Sequence, residues 1–322
     1  MYTINKILVP TDFSENASNA YSHARQIAGR YGAKIDFIHI IPTLEYFNES
    51  LQQLDMPLDM DKEVYPDAQE RASVHITELM NDHLEPENKG EGIVRIAPKP
   101  SKAIAEYAEQ GSYDLIVIAA KGRHESDLLR GSVTEKLIRY STVPVLHTDQ
   151  PSIERIKNIM VPTDGSPASL QALPVAVSIA LRHNASITLF HGLEKQETII
   201  ENALEDPYKS SAENIRDSIY DAVDEFFRES WDKVELRRGQ GFESQFVVST
   251  EASSAIVDVE TVIEKGVSAH YAITSYGDEY ADLMVLATHG HSGLKHLILG
   301  STAEKVVRHS ATPTVTVKPD FV

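Results

Sequence analysis

The chain contains the same sequence plan twice. The segment Val-Pro-Thr-Asp at residues 9–12 returns at residues 161–164, an offset of 164 − 12 = 152. Further along, Gly131 corresponds to Gly300, an offset of 300 − 131 = 169. Solenoid proteins repeat units of about 20–50 residues, so a unit near 150 residues is too long for a solenoid. The sequence therefore predicts a duplicated domain.

The two copies are predicted to meet where a short polar stretch interrupts the pattern. Asp-Gln-Pro-Ser at residues 149–152 breaks any helical or strand periodicity, which places the domains at residues 1–149 and 150–322. Two segments, Thr43–Pro66 and Trp231–Ser254, fit no clean period, and we interpret them as irregular insertions.

Within each copy, apolar strand-like runs alternate with helical patterns. The strands predicted in the first copy are Ile4–Val9, Lys34–Ile40, Ile93–Ala97, Leu115–Ala119 and Val143–Leu146. In the second copy, Ile156–Val161 leads into one predicted helix over Ser169–His183 and a strand over Ser186–Leu193. Such alternation implies right-handed crossovers and a parallel sheet covered by helices on both faces. The predicted fold class is α/β, with two tandem Rossmann-like domains.

Charge and composition exclude several classes of protein. Lys and Arg number 30 and Asp and Glu 48, a net charge of 30 − 48 = −18, which argues against nucleic-acid or anionic-membrane partners because both require clustered cations. The chain has no cysteine, so thiol catalysis and thiolate zinc sites are excluded. The longest apolar run, Leu115–Ala120, falls short of the roughly 20 residues of a membrane helix, and the start of the chain lacks a signal-peptide pattern. We expect a soluble, cytoplasmic protein.

Two aspartates lie at the ends of strands where a ligand is expected to bind. In an open parallel sheet, ligands bind outside the carboxyl ends of the strands, and Asp12 and Asp164 each follow the first strand of their copy. A carboxylate there can accept hydrogen bonds from ribose hydroxyls or a base amine. Alternatively, Asp12 or the neighbouring Ser14 caps the helix that follows.

A glycine-containing loop precedes the last helix of each copy. In the second copy Gly290 is followed by nine residues and then by Gly300 and Ser301. The free amides and the dipole of a helix start attract anions. Ser301 with Glu304, like Ser132 with Glu135, also fits a capping box, which is the purely structural alternative.

These motifs together resemble the universal stress protein family, over nearly the whole chain. The resemblance implies an adenine nucleotide alpha hydrolase-like fold, with a five-stranded parallel sheet in 3-2-1-4-5 order in each domain. It also implies ATP or another adenine nucleotide bound through the pattern Gly-x2-Gly-x9-Gly-Ser/Thr, with Mg²⁺ as a companion. The positions that match in the second copy are Pro162, Thr163, Asp164, Gly192, Ala287, His289, Gly290, Gly300, Ser301 and Thr302. Those in the first copy are Pro10, Thr11, Asp12, Ile40, Gly122, Gly131, Ser132 and Val133.

Departures from the family pattern favour the second copy as the nucleotide site. The first glycine of the pattern is alanine in both copies, Ala119 and Ala287, and an alanine disfavours positive φ. The first copy also has eight loop residues where the pattern has nine, and Glu125 and Asp127 within that loop would repel phosphates unless Mg²⁺, Arg123 or Arg130 offsets their charges. The nucleotide is therefore expected mainly in the second domain.

No catalytic constellation accompanies these motifs. The sequence shows neither a Ser-His-Asp ordering nor a Walker-type lysine, and three loop histidines at 289, 291 and 296 are weak support for zinc. The expected function is a nucleotide-dependent regulator with an unidentified protein partner. A nucleotide-free interaction module and a weak ATPase are the alternatives. From the family, the strands Val143–Leu146 and Thr314–Val317 are expected to pair as an intrachain pseudo-dimer, and a homodimer is also open.

Overall fold

The computed structural model describes residues 2–43, 64–120, 132–151, 155–194, 207–231, 233–239, 243–249, 254–289 and 299–319. Contacts divide the chain into two compact units. We call Ile4–Ser152 the N-terminal domain, and Ile153–Val322 together with Met1–Thr3 the C-terminal domain. Within the described residues, every helix is too short or too polar to cross a membrane.

The N-terminal domain is a parallel sheet with intervening helices. Its elements are β1 (Lys6–Pro10), α1 (Ala17–Tyr31), β2 (Lys34–Pro42), α2 (Tyr65–His83), β3 (Lys89–Ala97), α3 (Pro100–Gln110), β4 (Leu115–Ala119), α4 (Ser132–Tyr140) and β5 (Val145–Thr148). The strand order is β3-β2-β1-β4-β5, as the family resemblance implied. All five residues of β4 are buried, as expected for a strand covered on both faces.

The C-terminal domain repeats this core and extends it. Its elements are β6 (Asn158–Pro162), α5 (Pro167–Leu170), α6 (Leu173–His183), β7 (Ser186–Glu194), α7 (Pro207–Ser230), β8 (Val234–Arg238), β9 (Glu243–Ser249), β10 (Ser254–Gly266), α8 (Ala269–Tyr280), β11 (Leu283–Ala287), α9 (Ser301–His309) and β12 (Thr314–Val317). The order is β12-β11-β6-β7-β10-β9-β8. The five strands from β12 to β10 are parallel and repeat the N-terminal order.

The segment Trp231–Ser254, predicted to be an irregular insertion, instead forms most of a β-hairpin. Strands β8 and β9 pair antiparallel, and β9 pairs antiparallel with β10, so the described part of this domain has seven strands rather than five. The hairpin forms because apolar residues alternate with polar ones: Leu236 and Phe246 are buried, whereas their neighbours Glu235 and Gln245 are exposed. The other predicted insertion, Thr43–Pro66, lies mostly outside the described residues.

The single helix predicted over Ser169–His183 is wrong, because the structure has two helices there. Helix α5 ends at Leu170 and α6 begins at Leu173. Pro174 has no backbone N–H and therefore cannot donate to the carbonyl of Leu170, which a continuous helix would require.

Each domain anchors its first strand with an aspartate that the sequence analysis missed. The Oδ2 atom of Asp114 accepts the backbone amides of Asn5 and Lys6 at 2.7 and 2.9 Å. Asp282, in the C-terminal domain, accepts the corresponding two amides at 2.7 and 3.0 Å. These carboxylates hold the amino ends of β1 and β6. The candidate ligand site lies at the opposite, carboxyl ends of the strands.

Candidate functional site

A cavity of about 280 Å³ lies at the carboxyl ends of the central strands of the C-terminal domain. The ends of β6, β7 and β11 form one side of it, and the first residues of α8 and α9 form the other. Nine of the ten residues predicted from the second sequence copy line this cavity, and the tenth, Gly290, lies outside the described residues. The nine are Pro162, Thr163, Asp164, Gly192, Ala287, His289, Gly300, Ser301 and Thr302.

Several further lining residues were not predicted. They are Ser169, Phe190, His191, Ala269, Ile273, Leu286, Thr288 and Ala303. Most of these are apolar side chains or backbone positions that carry no recognisable chemistry in a single sequence. The i, i+4 spacing of Ala269 and Ile273 on α8 is the kind of signal that places two residues on one helix face, but it does not show what that face covers.

The acidic loop after β6 is held by its own hydrogen bonds. The Oδ1 atom of Asp164 accepts both the amide of Ser166 at 3.0 Å and its hydroxyl at 2.6 Å. The hydroxyl of Thr163 accepts the amide of Gly165 at 3.0 Å and lies 2.8 Å from the hydroxyl of Ser169. Gly165 has a φ of 76°, in the region that glycine adopts without strain. The exposed Asp164 side chain is thus presented to the cavity by a pre-formed turn.

The structure separates the roles of the acid and of the helix cap. The Ser166 side chain, not Asp164, caps α5, because its oxygen accepts the amide of Ser169 at 3.2 Å. The N-terminal domain has a similar arrangement, in which Ser14 receives the amide of Ala17 at 3.3 Å. The alternative weighed in the sequence concerned α1, where Asn16 is the N-cap residue without a side-chain cap and the Ser14 oxygen, not Asp12, accepts the amide of Ala17.

The start of α9 is not a capping box. Gly300 is the N-cap residue, no side chain caps the helix, and Ser301 is the first helical residue. Glu304 instead pairs with Arg308 at 3.2 Å, one turn further along the helix. The side chain of Ser301 is exposed and borders the cavity. The side chain of Ser132 is not among those described, so its capping box with Glu135 stays a prediction.

Two helices start at the wall of the cavity. Ala269 is the first residue of α8, and Ser301 and Thr302 are the first two of α9. The unpaired amides and the dipole of each helix give its N-terminus a partial positive charge. Among the lining residues that the structure describes, Asp164 is the only carboxylate, and neither Lys nor Arg is present. The cavity therefore combines a hydrogen-bond-accepting acid with an anion-attracting wall.

Histidine and threonine side chains complete the polar lining. The Nδ1 atom of His191 lies 2.9 Å from the carbonyl oxygen of Thr163, to which its N–H donates. The Nδ1 atom of His289 lies 2.9 Å from the hydroxyl of Thr288. His39 makes the same contact in the N-terminal domain, at 2.8 Å from the carbonyl of Thr11. The strand-end histidines His39 and His191 are thus half-buried and each is hydrogen-bonded to a backbone carbonyl.

Close packing explains why residue 192 is a glycine, and the backbone conformation at residue 287 shows why an alanine is tolerated there. A Cβ atom at Gly192 would lie 3.2 Å from the carbonyl oxygen of Ala269 and 3.4 Å from the Cβ of Ala272. Gly192 therefore lets β7 approach the first turn of α8. Ala287 ends β11 in register with Val317 and is not among the residues with positive φ. Alanine is therefore accommodated at this position without backbone strain.

The first sequence copy places its predicted residues at the matching strand ends. Pro10 ends β1, Thr11 is buried, Asp12 is half-buried and accepts the amide of Ser14 at 3.0 Å, and Ile40 lies buried within β2. Ser132 and the exposed Val133 begin α4. Gly122 and Gly131 lie outside the described residues.

An aromatic cluster distinguishes this edge of the N-terminal domain. Phe13 has a left-handed φ of 60°, at the position that Gly165 occupies in the other domain. Its ring stacks on His75 of α2 with centroids 4.3 Å apart, and lies 4.5 Å from the ring of His39. At the corresponding position in the C-terminal domain, a Cβ at Gly165 would have, among the described residues, only Ile219 within 4 Å, at 3.9 Å.

The described residues bring no three potential metal ligands together. Of the three loop histidines weighed for zinc, His291 and His296 lie outside that part of the chain. His289 borders the cavity.

The fold and the cavity define a duplicated α/β protein with a ligand-sized recess at the switch point of one parallel sheet. The chain belongs to the universal stress protein family: the model of that family matches residues 3–148 and 155–318. A universal stress protein of Mycolicibacterium smegmatis is 21% identical over 323 residues, covering 97% of both chains. Universal stress protein MJ0531 of Methanocaldococcus jannaschii is 28% identical over 163 residues, 50% of this chain and 82% of that protein.

Among solved structures, a universal stress protein from Archaeoglobus fulgidus covers 98% of this chain and 97% of its own, with a TM-score of 0.57 and 19% identity. The tandem arrangement and the α/β fold predicted from the sequence are confirmed.

Proposed function

We propose that this universal stress protein binds an adenine nucleotide in the cavity of its C-terminal domain, and that nucleotide occupancy regulates its binding to a protein partner. One observation carries the proposal: the carboxylate of Asp164 and the first turns of α8 and α9 border the same cavity. A nucleotide has hydroxyl groups at one end and phosphates at the other, so it matches both.

The lining residues suit separate parts of such a ligand. Asp164 would accept hydrogen bonds from the ribose hydroxyls. Phosphate oxygens would receive the backbone amides at the start of α9 and the hydroxyls of Ser301 and Thr302, as anions do at helix N-termini. A volume of about 280 Å³ is near the lower end of small-molecule pockets. It would take the nucleoside and first phosphate, with any further phosphates extending through the opening.

Mg²⁺ would enter with the phosphates in this proposal. Magnesium keeps several water ligands and is usually held by one or two carboxylates and by substrate phosphates. Among the described lining residues Asp164 alone offers a carboxylate. Because the sequence has neither a Ser-His-Asp ordering nor a Walker-type lysine, we propose a regulator in preference to a fast enzyme. We also place the protein in the cytoplasm, where subcellular fractionation would find it.

Calorimetric titration of the full chain with ATP, AMP, adenosine and GTP, each with and without Mg²⁺, tests the proposal. We expect saturable binding of adenine ligands at one site per chain and weaker binding of GTP. Asp164→Ala should weaken binding about 10–100-fold, since a hydrogen bond to a charged group contributes about 1.5–3 kcal/mol. The matched variant Asp12→Ala should bind as the wild type does.

Three outcomes would contradict this assignment. The absence of saturable binding at millimolar ligand would favour the nucleotide-free interaction module. Loss of binding in Asp12→Ala but not in Asp164→Ala would move the site to the N-terminal domain. Phosphate release that disappears in Asp164→Ala would favour the weak ATPase.

A further inference from the structure

Strand β8 is the outermost strand of the C-terminal sheet within the described part of the chain. Its pairing with β9 determines where its backbone groups point. The amide of Gly239 donates to Glu243 at 3.0 Å, and the amide of Ser249 donates to Lys233 at 2.8 Å. In an antiparallel pair, hydrogen-bonded residues alternate with residues whose backbone groups point away. The odd-numbered residues therefore face β9, and the backbone groups of Val234, Leu236 and Arg238 point outward.

These outward groups are not equivalent. The amide of Val234 already donates to the carbonyl of Trp231 at 3.1 Å, so only its carbonyl is left to accept. Leu236 and Arg238 each present an N–H and a carbonyl along the edge. An edge strand with unpaired groups is a template for another strand.

The side chains of β8 divide into two faces. Val234 and Leu236 are buried on the inner face, each 6% exposed. Arg238, on the same face, is held by Asp221 and Asp224 of α7 at 2.7 and 2.8 Å.

The opposite face of β8 is charged. The Glu235 and Arg237 side chains on it are 68% and 58% exposed, and their nearest oxygen and nitrogen are 3.8 Å apart. A pair this exposed contributes little within one chain, so both side chains are available to another strand.

We propose that β8 pairs antiparallel with β8 of a second copy of this chain, about a two-fold axis through Leu236. Leu236 would exchange both backbone hydrogen bonds with its copy, and the amide of Arg238 would donate to the carbonyl of Val234 in the other chain. Glu235 of each chain would then lie opposite Arg237 of the other. These residues fall in non-hydrogen-bonded pairs, in which the Cα atoms approach to about 4.5 Å.

Backbone and charge together select this register. An axis through Val234 would require its amide, which already donates to Trp231. An axis through Arg238 would place Arg237 opposite Gly239, which carries no charge. Only the axis through Leu236 matches unused backbone groups with two opposite-charge pairs.

The overall charge opposes association, whereas the charges on the exposed face of β8 balance one another. Each chain carries a net charge of −18, so two copies repel at long range. At about 0.15 M salt this repulsion is screened beyond about 8 Å. Within the contact Glu235 and Arg237 balance, and Asp221 and Asp224 are already paired with Arg238. We therefore expect a dimer that strengthens as salt rises from low concentration.

Sedimentation equilibrium of the nucleotide-free full chain, over a concentration series at about 0.15 M salt, tests this pairing. We expect a monomer–dimer equilibrium. Arg237→Glu and Glu235→Arg each place like charges opposite one another twice, and each should weaken dimerisation by about tenfold or more. The double variant Glu235→Arg/Arg237→Glu restores both opposite-charge pairs and should restore the dimer.

Glu91→Arg is the matched control, because Glu91 is an exposed residue on β3 of the N-terminal domain. It changes the net charge as Glu235→Arg does and should leave association as it is in the wild type. A wild type that stays monomeric to several hundred micromolar would overturn the proposal. So would a dimer that neither single variant weakens, or a double variant that stays as weak as the singles. Unchanged thermal unfolding of all variants would show that the fold is intact.

Discussion

The carboxylate of Asp164 is held by Ser166, whose hydroxyl donates to it at 2.6 Å and whose amide donates at 3.0 Å. The same hydroxyl oxygen accepts the amide of Ser169 and caps α5. One serine thus orients the candidate ribose-binding acid and begins a helix. In the N-terminal domain Asp12 accepts the amide of Ser14 at 3.0 Å.

Ser166→Ala should therefore lower both stability and nucleotide affinity. Loss of the helix cap costs about 1 kcal/mol, and the freed Asp164 side chain would bind ribose less well. Titration of the nucleotide and denaturant unfolding monitored by Trp231 fluorescence measure the two effects. Ser166→Thr, which keeps the hydroxyl, should recover both, and Ser14→Ala should leave nucleotide binding unaffected. Full affinity in Ser166→Ala would contradict the positioning role.

Ser301→Glu separates phosphate binding from helix stability. A carboxylate in the first turn of α9 interacts favourably with the helix dipole, by about 0.3–1 kcal/mol, so the protein should be as stable as the wild type or slightly more. At the cavity wall the same charge would repel phosphates. We expect ATP and AMP to bind much more weakly and adenosine to be less affected, as measured by calorimetry. Ser132→Glu, at the start of α4, should not change binding. Equal losses for adenosine and AMP would argue against phosphate at this helix.

Gly192→Ile gives the C-terminal domain the residue found at Ile40. The new side chain would press on the backbone of Ala269, which a Cβ already approaches to 3.2 Å. Overpacking of this kind typically costs about 1–3 kcal/mol, and the extra atoms would occupy the cavity. Calorimetry should show lower stability together with lost nucleotide binding. Wild-type affinity in this variant would mean that the nucleotide lies elsewhere.

Asp36 holds together three strands of the N-terminal domain. It is 3% exposed and accepts the hydroxyl of Tyr113 at 2.6 Å and the amide of Glu91 at 2.7 Å, with the Lys6 ammonium 3.5 Å away. Asp36→Ala leaves these donors without their acceptor and should cost about 3 kcal/mol. Tyr113→Phe, which keeps the carboxylate, should cost about 1 kcal/mol. Calorimetric unfolding of the full chain measures both, and a neutral Asp36→Ala would refute the assignment.

Tyr21 should make stability fall in alkaline solution. Burial raises its pKa to about 12, with a further raising effect from Asp12, while a hydrogen bond with the Thr11 hydroxyl acts in the opposite direction. Because the folded pKa lies above the unfolded value of about 10, the contribution of Tyr21 to stability is fully present below about pH 10. It then declines by up to about 1.4 kcal/mol per pH unit until about pH 12.

Tyr21→Phe should flatten this decline, as followed by unfolding at pH 9, 10 and 11. Some slope should remain, because burial and Asp36 also raise the pKa of Tyr113. An unchanged slope in Tyr21→Phe would rule out its contribution.

The repeat and the local patterns predicted the central fold and the cavity residues well. The duplicated Val-Pro-Thr-Asp and Gly-Ser motifs indicated two domains, and the family pattern that they resemble supplied the nine predicted residues that line one recess. Local rules succeed here because β6 and β11 are buried runs and because parallel strands bring their carboxyl ends to one edge.

The same patterns did not predict features set by contacts between distant residues. The segment of β8 and β9 resembles a loop in the sequence because it is rich in glycine and serine, and only strand pairing and packing against α7 show that its alternating residues have one buried face. The capping box at Ser301 was wrong because Glu304 reaches Arg308 instead.

By itself, the sequence determined that the chain is a tandem α/β protein and which edge of each sheet carries its polar groups, since strand periodicity and turn residues act locally. Only the tertiary structure decided that α8 and α9 start at the same cavity, that Gly192 makes room for a helix, and that β8 ends a sheet. Those relations join residues far apart in the chain, whose contacts are set by close packing and hydrogen-bond geometry.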